Sequence, residues 1–183
     1  MMDLLKGSFL TVAFILALFV SGCGYTTRSL LPSEFKTIYV ENFKNSIRIT
    51  DEQSDVRMYR GYKPGMERDI TKAVIDRFLL DGNLKIRNDE GADIILKGEL
   101  LDFRREALRY DANDNVEEYR IVLTVNMKLT DSKDGKTVWE EKAFSGETTY
   151  RTSGSLARSE DSSINEATKD LARRIVERTV EGW

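Results

Sequence analysis

The chain has 183 residues, 40% hydrophobic and 32% charged, which is the balance of one globular domain rather than of a disordered or polytopic membrane protein. Its 28 basic and 31 acidic side chains leave a net charge of -3, so no cationic field gathers nucleic acid. Histidine is absent, which removes Ser-His-Asp triads, Cys-His dyads, His-Cys zinc sites and imidazole bases. The single cysteine, Cys23, allows no intrachain disulfide, and the fold must rest on a packed core.

Lys6 and the terminal amine precede an apolar run from Phe9 to Val20, the pattern of an export signal that is too short for a spanning helix of roughly 20 residues. The run closes on Val20-Ser21-Gly22-Cys23. Small side chains beside a scissile bond suit a signal peptidase, and the thiol that follows suits a diacylglycerol, so residues 1–22 read as a lipoprotein signal peptide and Cys23 as the lipidation site. Several acyl chains, each buried methylene adding about 0.8 kcal/mol, hold far more firmly than one. Gly24, and not Asp, follows the cysteine, which favours the outer membrane as the destination. Residues 23–36 then form the acylated cysteine and an extended tether, and residues 37–183 a single domain.

Within that domain, Thr37 to Phe43 predicts a short strand with Ile38 and Val40 facing one way and Tyr39 the other. Asn45 to Lys63 is polar and aperiodic, a loop long enough to be an excursion, a partner contact or disorder. After Pro64-Gly65, a helix is expected over Met66 to Leu80, with an apolar stripe at Met66, Ile70, Ala73, Val74, Arg77 and Phe78 and a stop at Asp81-Gly82-Asn83. Leu84 to Ile86 reads as a brief strand. Asp93 to Phe103, extended through Tyr110, reads as a long one with Ile94, Leu96, Gly98 and Leu100 on one face. Tyr119, Ile121, Leu123, Val125, Met127 and Leu129 alternate with polar residues, the clearest strand signal in the chain. Asp134-Gly135 marks a hairpin turn into Thr137 to Tyr150, Thr152 to Ser163 reads as a loop, and a second amphipathic helix runs from Ile164 toward Trp183. This order predicts an α+β fold: a roughly four-stranded, mostly antiparallel sheet with two amphipathic helices packed on one face.

No catalytic, metal or cofactor site emerges from the residues, and the chain reads as a non-enzyme. Glu117-Glu118, Glu140-Glu141 and Asp89-Glu90 are adjacent pairs, and neighbours on a strand point to opposite faces, so they do not flank one bond. Asp111, Asp114, Glu117 and Glu118 lack the spacing of a calcium loop. Arg104, Arg105 and Arg109, interleaved with Phe103, Leu108 and Tyr110, pair guanidinium forks with apolar surface. They are a candidate contact for a phosphorylated glycolipid, set against the plainer reading of arginines solvating a strand tip.

Cys23-Gly24-Tyr25, Ile38-Tyr39-Val40-Glu41-Asn42-Phe43, Gly65-Met66-Glu67 before Ile70-Thr71, Ala92-Asp93 before Leu96 and Gly98, and Glu118-Tyr119-Arg120 follow one another in a familiar order. With the closing helix, this resembles the LPS-assembly lipoprotein family LptE over nearly the whole mature chain, on order and spacing rather than on any one motif. The resemblance implies an outer-membrane lipoprotein, facing the periplasm or lying within a barrel lumen. It further implies a plug and assembly partner of the LptD β-barrel that helps insert lipopolysaccharide into the outer leaflet. The alternative is a periplasm-facing lipoprotein that binds and regulates an envelope enzyme.

Overall fold

The computed structural model describes residues 31–48, 53–54 and 58–181. The expected signal peptide, Cys23 and the expected tether through residue 30 lie outside the described residues. The elements in chain order are β1 (Thr37–Val40), β2 (Lys44–Asn45), β3 (Gln53–Ser54), β4 (Met58–Arg60), α1 (Met66–Asp81), β5 (Lys85–Ile86), β6 (Ile94–Tyr110), β7 (Val116–Asp131), β8 (Thr137–Arg151) and α2 (Glu160–Glu181). The α+β class and the two helices are as expected, but the sheet is larger and mixed: among the described residues it has eight strands.

The expectation of four mostly antiparallel strands counted only the long ones. β6, β7 and β8 form the antiparallel meander read from the sequence. The opposite edge of β6 is completed in series by β1 and β2, both parallel to it, and then by β4, antiparallel. β5 lies parallel to β1, and β3 pairs with β4. Parallel pairing follows from α1, which carries the chain back to the end from which β1 started. Strands of two or three residues leave no periodicity to read, so the Asn45 to Lys63 segment hides β3 and β4 within what looked like a loop.

Both helices bury one stripe against the same sheet face. α1 buries Met66, Ile70, Thr71, Val74 and Phe78, and it closes where the Gly82 N–H donates to the Phe78 carbonyl at 3.0 Å. α2 buries Ala167, Leu171, Ala172, Ile175, Val176 and Val180. It begins four residues before the expected Ile164, because Ser159 caps it: Ser159 Oγ accepts the Ser162 N–H at 3.2 Å, and Glu160 and Asp161 occupy the first turn. From the sheet, Ile121, Leu123, Val125, Met127 and Leu129 supply the facing layer, the set that the alternation predicts. Each large side chain buried there is worth about 1.5–3 kcal/mol.

Two glycines set the spacing between layers. A Cβ on Gly146 would stand 2.5 Å from the Cα and backbone nitrogen of Leu171, so α2 crosses β8 at a point where only glycine fits. A Cβ on Gly98 would meet the Phe43 ring at 2.1 Å. Phe43 is held there by its own N–H, which donates to Thr71 Oγ1 at 2.9 Å, so Thr71 is a buried link between α1 and the chain after β1.

The described part of the tether does not run extended. The Phe35 N–H bonds the Pro32 carbonyl at 3.0 Å in a turn, and Leu31 and Phe35 pack against the core. Asp93 fixes the entry to β1: its Oδ2 accepts the N–H groups of Lys36 and Thr37 at 3.0 and 2.9 Å and the Thr37 hydroxyl at 2.8 Å. The Lys36 N–H and the Thr37 hydroxyl outweigh partial burial and hold the Asp93 carboxyl below the usual carboxylate range.

Candidate functional site

The helices leave one sheet face open, and its chemistry is set by a β-bulge. The register shifts between Leu100 and Asp102, so Leu101 is an extra residue on β6 and the inside-outside alternation changes phase. Before it Ile94, Leu96 and Leu100 are the fully buried positions; after it Phe103 is. The same shift sends Asp102, Arg104 and Glu106 to the open face.

There they form a ladder across three strands. Arg60 Nε of β4 donates to Asp102 Oδ1 at 2.6 Å, and Arg104 Nε lies 2.9 Å from Asp102 Oδ2. The Arg104 guanidinium also donates to Glu106 Oε1 at 2.9 Å, and Arg120 Nη2 of β7 donates to Glu106 Oε2 at 2.9 Å. Asp102 is only 9% exposed, so its two cationic neighbours stand in for water it has lost. Toward the start of β6, Lys97 pairs with Glu41 at 3.2 Å; toward its end, Arg109 pairs with Glu118 at 3.0 Å.

The three arginines singled out from sequence are therefore not one cluster. Arg104 belongs to the ladder and Arg109 to the hairpin tip, on the same open face. Arg105 points the other way, toward the helices, where its guanidinium is bonded to Glu160 at the start of α2 and lies 4.7 Å from the centre of the Tyr119 ring. Lys63 completes this inner group with a 2.5 Å bond to Glu160. Burial works against the Glu160 carboxylate, but Lys63 and Arg105 outweigh it and bring its pKa below the ordinary glutamate value. Burial likewise opposes the Arg105 charge, and Glu160 more than restores it. Tyr150 stacks on Tyr119 at 5.6 Å, and burial raises its phenol pKa. Lys63, Arg105 and Glu160 thus tie the chain before α1, the strand β6 and the start of α2 into one joint.

Asp102, Arg104 and Glu106 alternate in sign at a period of two, a signal legible in the sequence. Among the adjacent acid pairs of the sequence, Glu118 is engaged with Arg109, Glu141 with Arg178 at 2.7 Å, and Asp89 with Arg87 at 3.2 Å. Asp111 at the hairpin tip spends its oxygens on the turn, accepting the N–H groups of Asn113 and Asn115 at 2.8 and 2.9 Å. The Asn115 side-chain amide and backbone N–H lower its pKa. Among the described residues no group of three or more acidic or sulfur ligands is placed to hold a metal ion, and no described helix is long and apolar enough to cross a membrane. A groove of about 820 Å³ between α1 and α2 is lined by Asp69, Lys72, Asp76, Lys169 and Arg173, whose charges pair mostly within their own helices.

Comparison with known proteins bears on this arrangement of a helix-covered face and a charged open face. Residues 35–179 match the LptE family, described as lipopolysaccharide-assembly. The chain belongs to the LptE family. No curated protein matches the sequence. Among solved structures, protein XCC0632 from Xanthomonas campestris is similar at 14% identity and a TM-score of 0.50, over 82% of this chain and 86% of that one. The rare lipoprotein B from Shewanella oneidensis is similar at 15% identity and a TM-score of 0.40, over 79% and 92%. PelC from Paraburkholderia phytofirmans, a dodecamer, is similar at 15% and 0.47, over 84% and 94%. At 14% identity the likeness to XCC0632 speaks for the fold alone. Membership of the LptE family covers the whole sheet and nearly all of α2, so the open face and the inner joint both lie within the matched region.

Proposed function

We propose that the protein is an outer-membrane lipoprotein, acylated at Cys23, that acts as plug and assembly partner of an LptD-like β-barrel and helps insert lipopolysaccharide into the outer leaflet. The observation that carries this reading is the family match over residues 35–179. The open face supports it physically. A barrel lumen is polar, and a body inserted there must exchange water for hydrogen bonds without stranding charge; the Arg60, Asp102, Arg104, Glu106 and Arg120 ladder keeps its charges mutually compensated. Arg104 and Arg109, on that face, are the arginines offered to a glycolipid phosphate, while Arg105 serves the inner joint.

Purification in gentle detergent tests the reading. The intact chain is expected to bring down a large outer-membrane barrel, and the Cys23→Ala form to lose membrane retention. Repeated recovery of a soluble envelope enzyme in place of a barrel overturns the plug, and equal retention of Cys23→Ala overturns the anchor.

A further inference from the structure

Two large apolar side chains stand in water at one end of the domain. Leu79 is 63% exposed and Leu80 80% exposed, side by side in the last turn of α1, whose opposite stripe is buried. A single exposed leucine is ordinary, but an adjacent pair on a helix end is contiguous apolar surface that gains from being covered.

The topology puts this pair at the end where the chain enters the fold. α1 stops at Asp81, and Lys85, five residues after Leu80, pairs with Thr37 across β5 and β1. The Lys85 N–H donates to the Lys36 carbonyl at 2.9 Å. Leu31 and Phe35, just upstream of that contact, pack on the core. The entry point of the tether and the end of α1 are therefore stitched together.

Seven residues of chain separate Leu31 from Cys23, and the eight Cα–Cα steps between the two reach at most about 28 Å. β6 alone, at 17 residues, spans about 56 Å if fully extended. A lipid anchor at Cys23 therefore keeps the entry end within about 28 Å of the bilayer, while the Asp111 to Asn115 tip, at the other end of β6, is free to lie much farther from it.

We propose that Leu79 and Leu80 form a lipid-contact site, inserted into the interfacial region of the leaflet that holds the acylated cysteine. This rests on the acylation of Cys23 proposed above. It adds a second point of membrane attachment beside the acyl chains, at the end of the domain nearest the anchor.

The acylated protein has no other cysteine, so Leu80→Cys and, at the far tip, Asn113→Cys each give a unique thiol for a polarity-sensitive fluorophore. Each acylated, labelled chain is reconstituted into vesicles of phosphatidylcholine containing a spin-labelled phosphatidylcholine as quencher. Quenching several-fold stronger at position 80 than at position 113 is expected, as is loss of quenching at an adjacent probe, Asp81→Cys, when Leu79→Ser and Leu80→Ser are added. Equal quenching at the two ends, on protein that floats with the vesicles, overturns the lipid contact and leaves the anchor standing. Protein that does not float overturns the anchor and the contact with it. If the lipid quenching vanishes when a co-purified barrel is present and a photo-crosslinker at position 80 captures that barrel, the leucines meet protein and the proposal is overturned.

Discussion

α2 passes close over the sheet at Gly146, and Gly146→Ala is a sharp test of the packing. The new methyl would sit 2.5 Å from the Cα, Cβ and backbone nitrogen of Leu171, and a backbone cannot swing aside as a side chain does. Overpacking costs about 1–3 kcal/mol in general, and a backbone contact belongs at the upper end. At about 2–4 °C per kcal/mol for a domain of this size, Tm should fall by about 6–12 °C, measured by thermal unfolding followed by circular dichroism. Leu171→Ala should not rescue it, because the three clashing atoms remain. Gly98→Ala provides the contrast: its clash is with the Phe43 ring, so Gly98→Ala combined with Phe43→Ala should cost clearly less than the two losses added. A Gly146→Ala protein melting within about 1 °C of the parent would refute the close crossing, since even a mild overpacking exceeds that.

Glu160→Gln should remove a part of the stability that depends on acid. The depressed carboxyl stabilises above the unfolded value of about 4.3 and its contribution is lost as pH falls through the folded value; the gap in denaturant midpoint between parent and variant should therefore stay constant from neutral pH to about 5 and close only as pH falls below about 4. Asp93→Ala, which strands two N–H groups and the Thr37 hydroxyl, should cost about 1–3 kcal/mol by chemical denaturation. Phe78→Ala, at a fully buried position of α1, should cost about 3–5 kcal/mol in the same assay.

The long elements were legible because their period is long enough to count. Six alternating apolar residues from Tyr119 to Leu129 leave one face and one register, and Gly82 marks the end of α1 in sequence as in space. What stayed hidden is short or non-local. β2, β3, β4 and β5 have two or three residues each, and their existence depends on the free edges of β6 and β1 and not on their own pattern. The start of α2 was masked because Ser159 to Ser163 looks polar and loop-like, yet Ser followed by two acids is a capping sequence. The separation of Arg104 from Arg105 was readable in principle from alternation. Their grouping as one contact treated neighbouring residues as neighbours in space, which a strand forbids.

The bulge at Leu101 ties the core to the open face. With an unbroken period of two, a strand that buries Leu96 and Leu100 would also turn Asp102 and Arg104 toward the helices, where Glu160 offers one carboxylate and the surrounding space is aromatic. The extra residue puts Phe103 there instead and delivers Arg105 alone to Glu160. Asp102, Arg104 and Glu106 go together to the outside, in register with Arg60 and Arg120. Three cations then share two carboxylates, so the ladder carries little net charge while presenting many hydrogen-bonding groups. Isolated charges are costly to remove from water, and compensated ones far less so. One inserted residue therefore both completes the hydrophobic core and makes the opposite face suitable for burial against a polar partner.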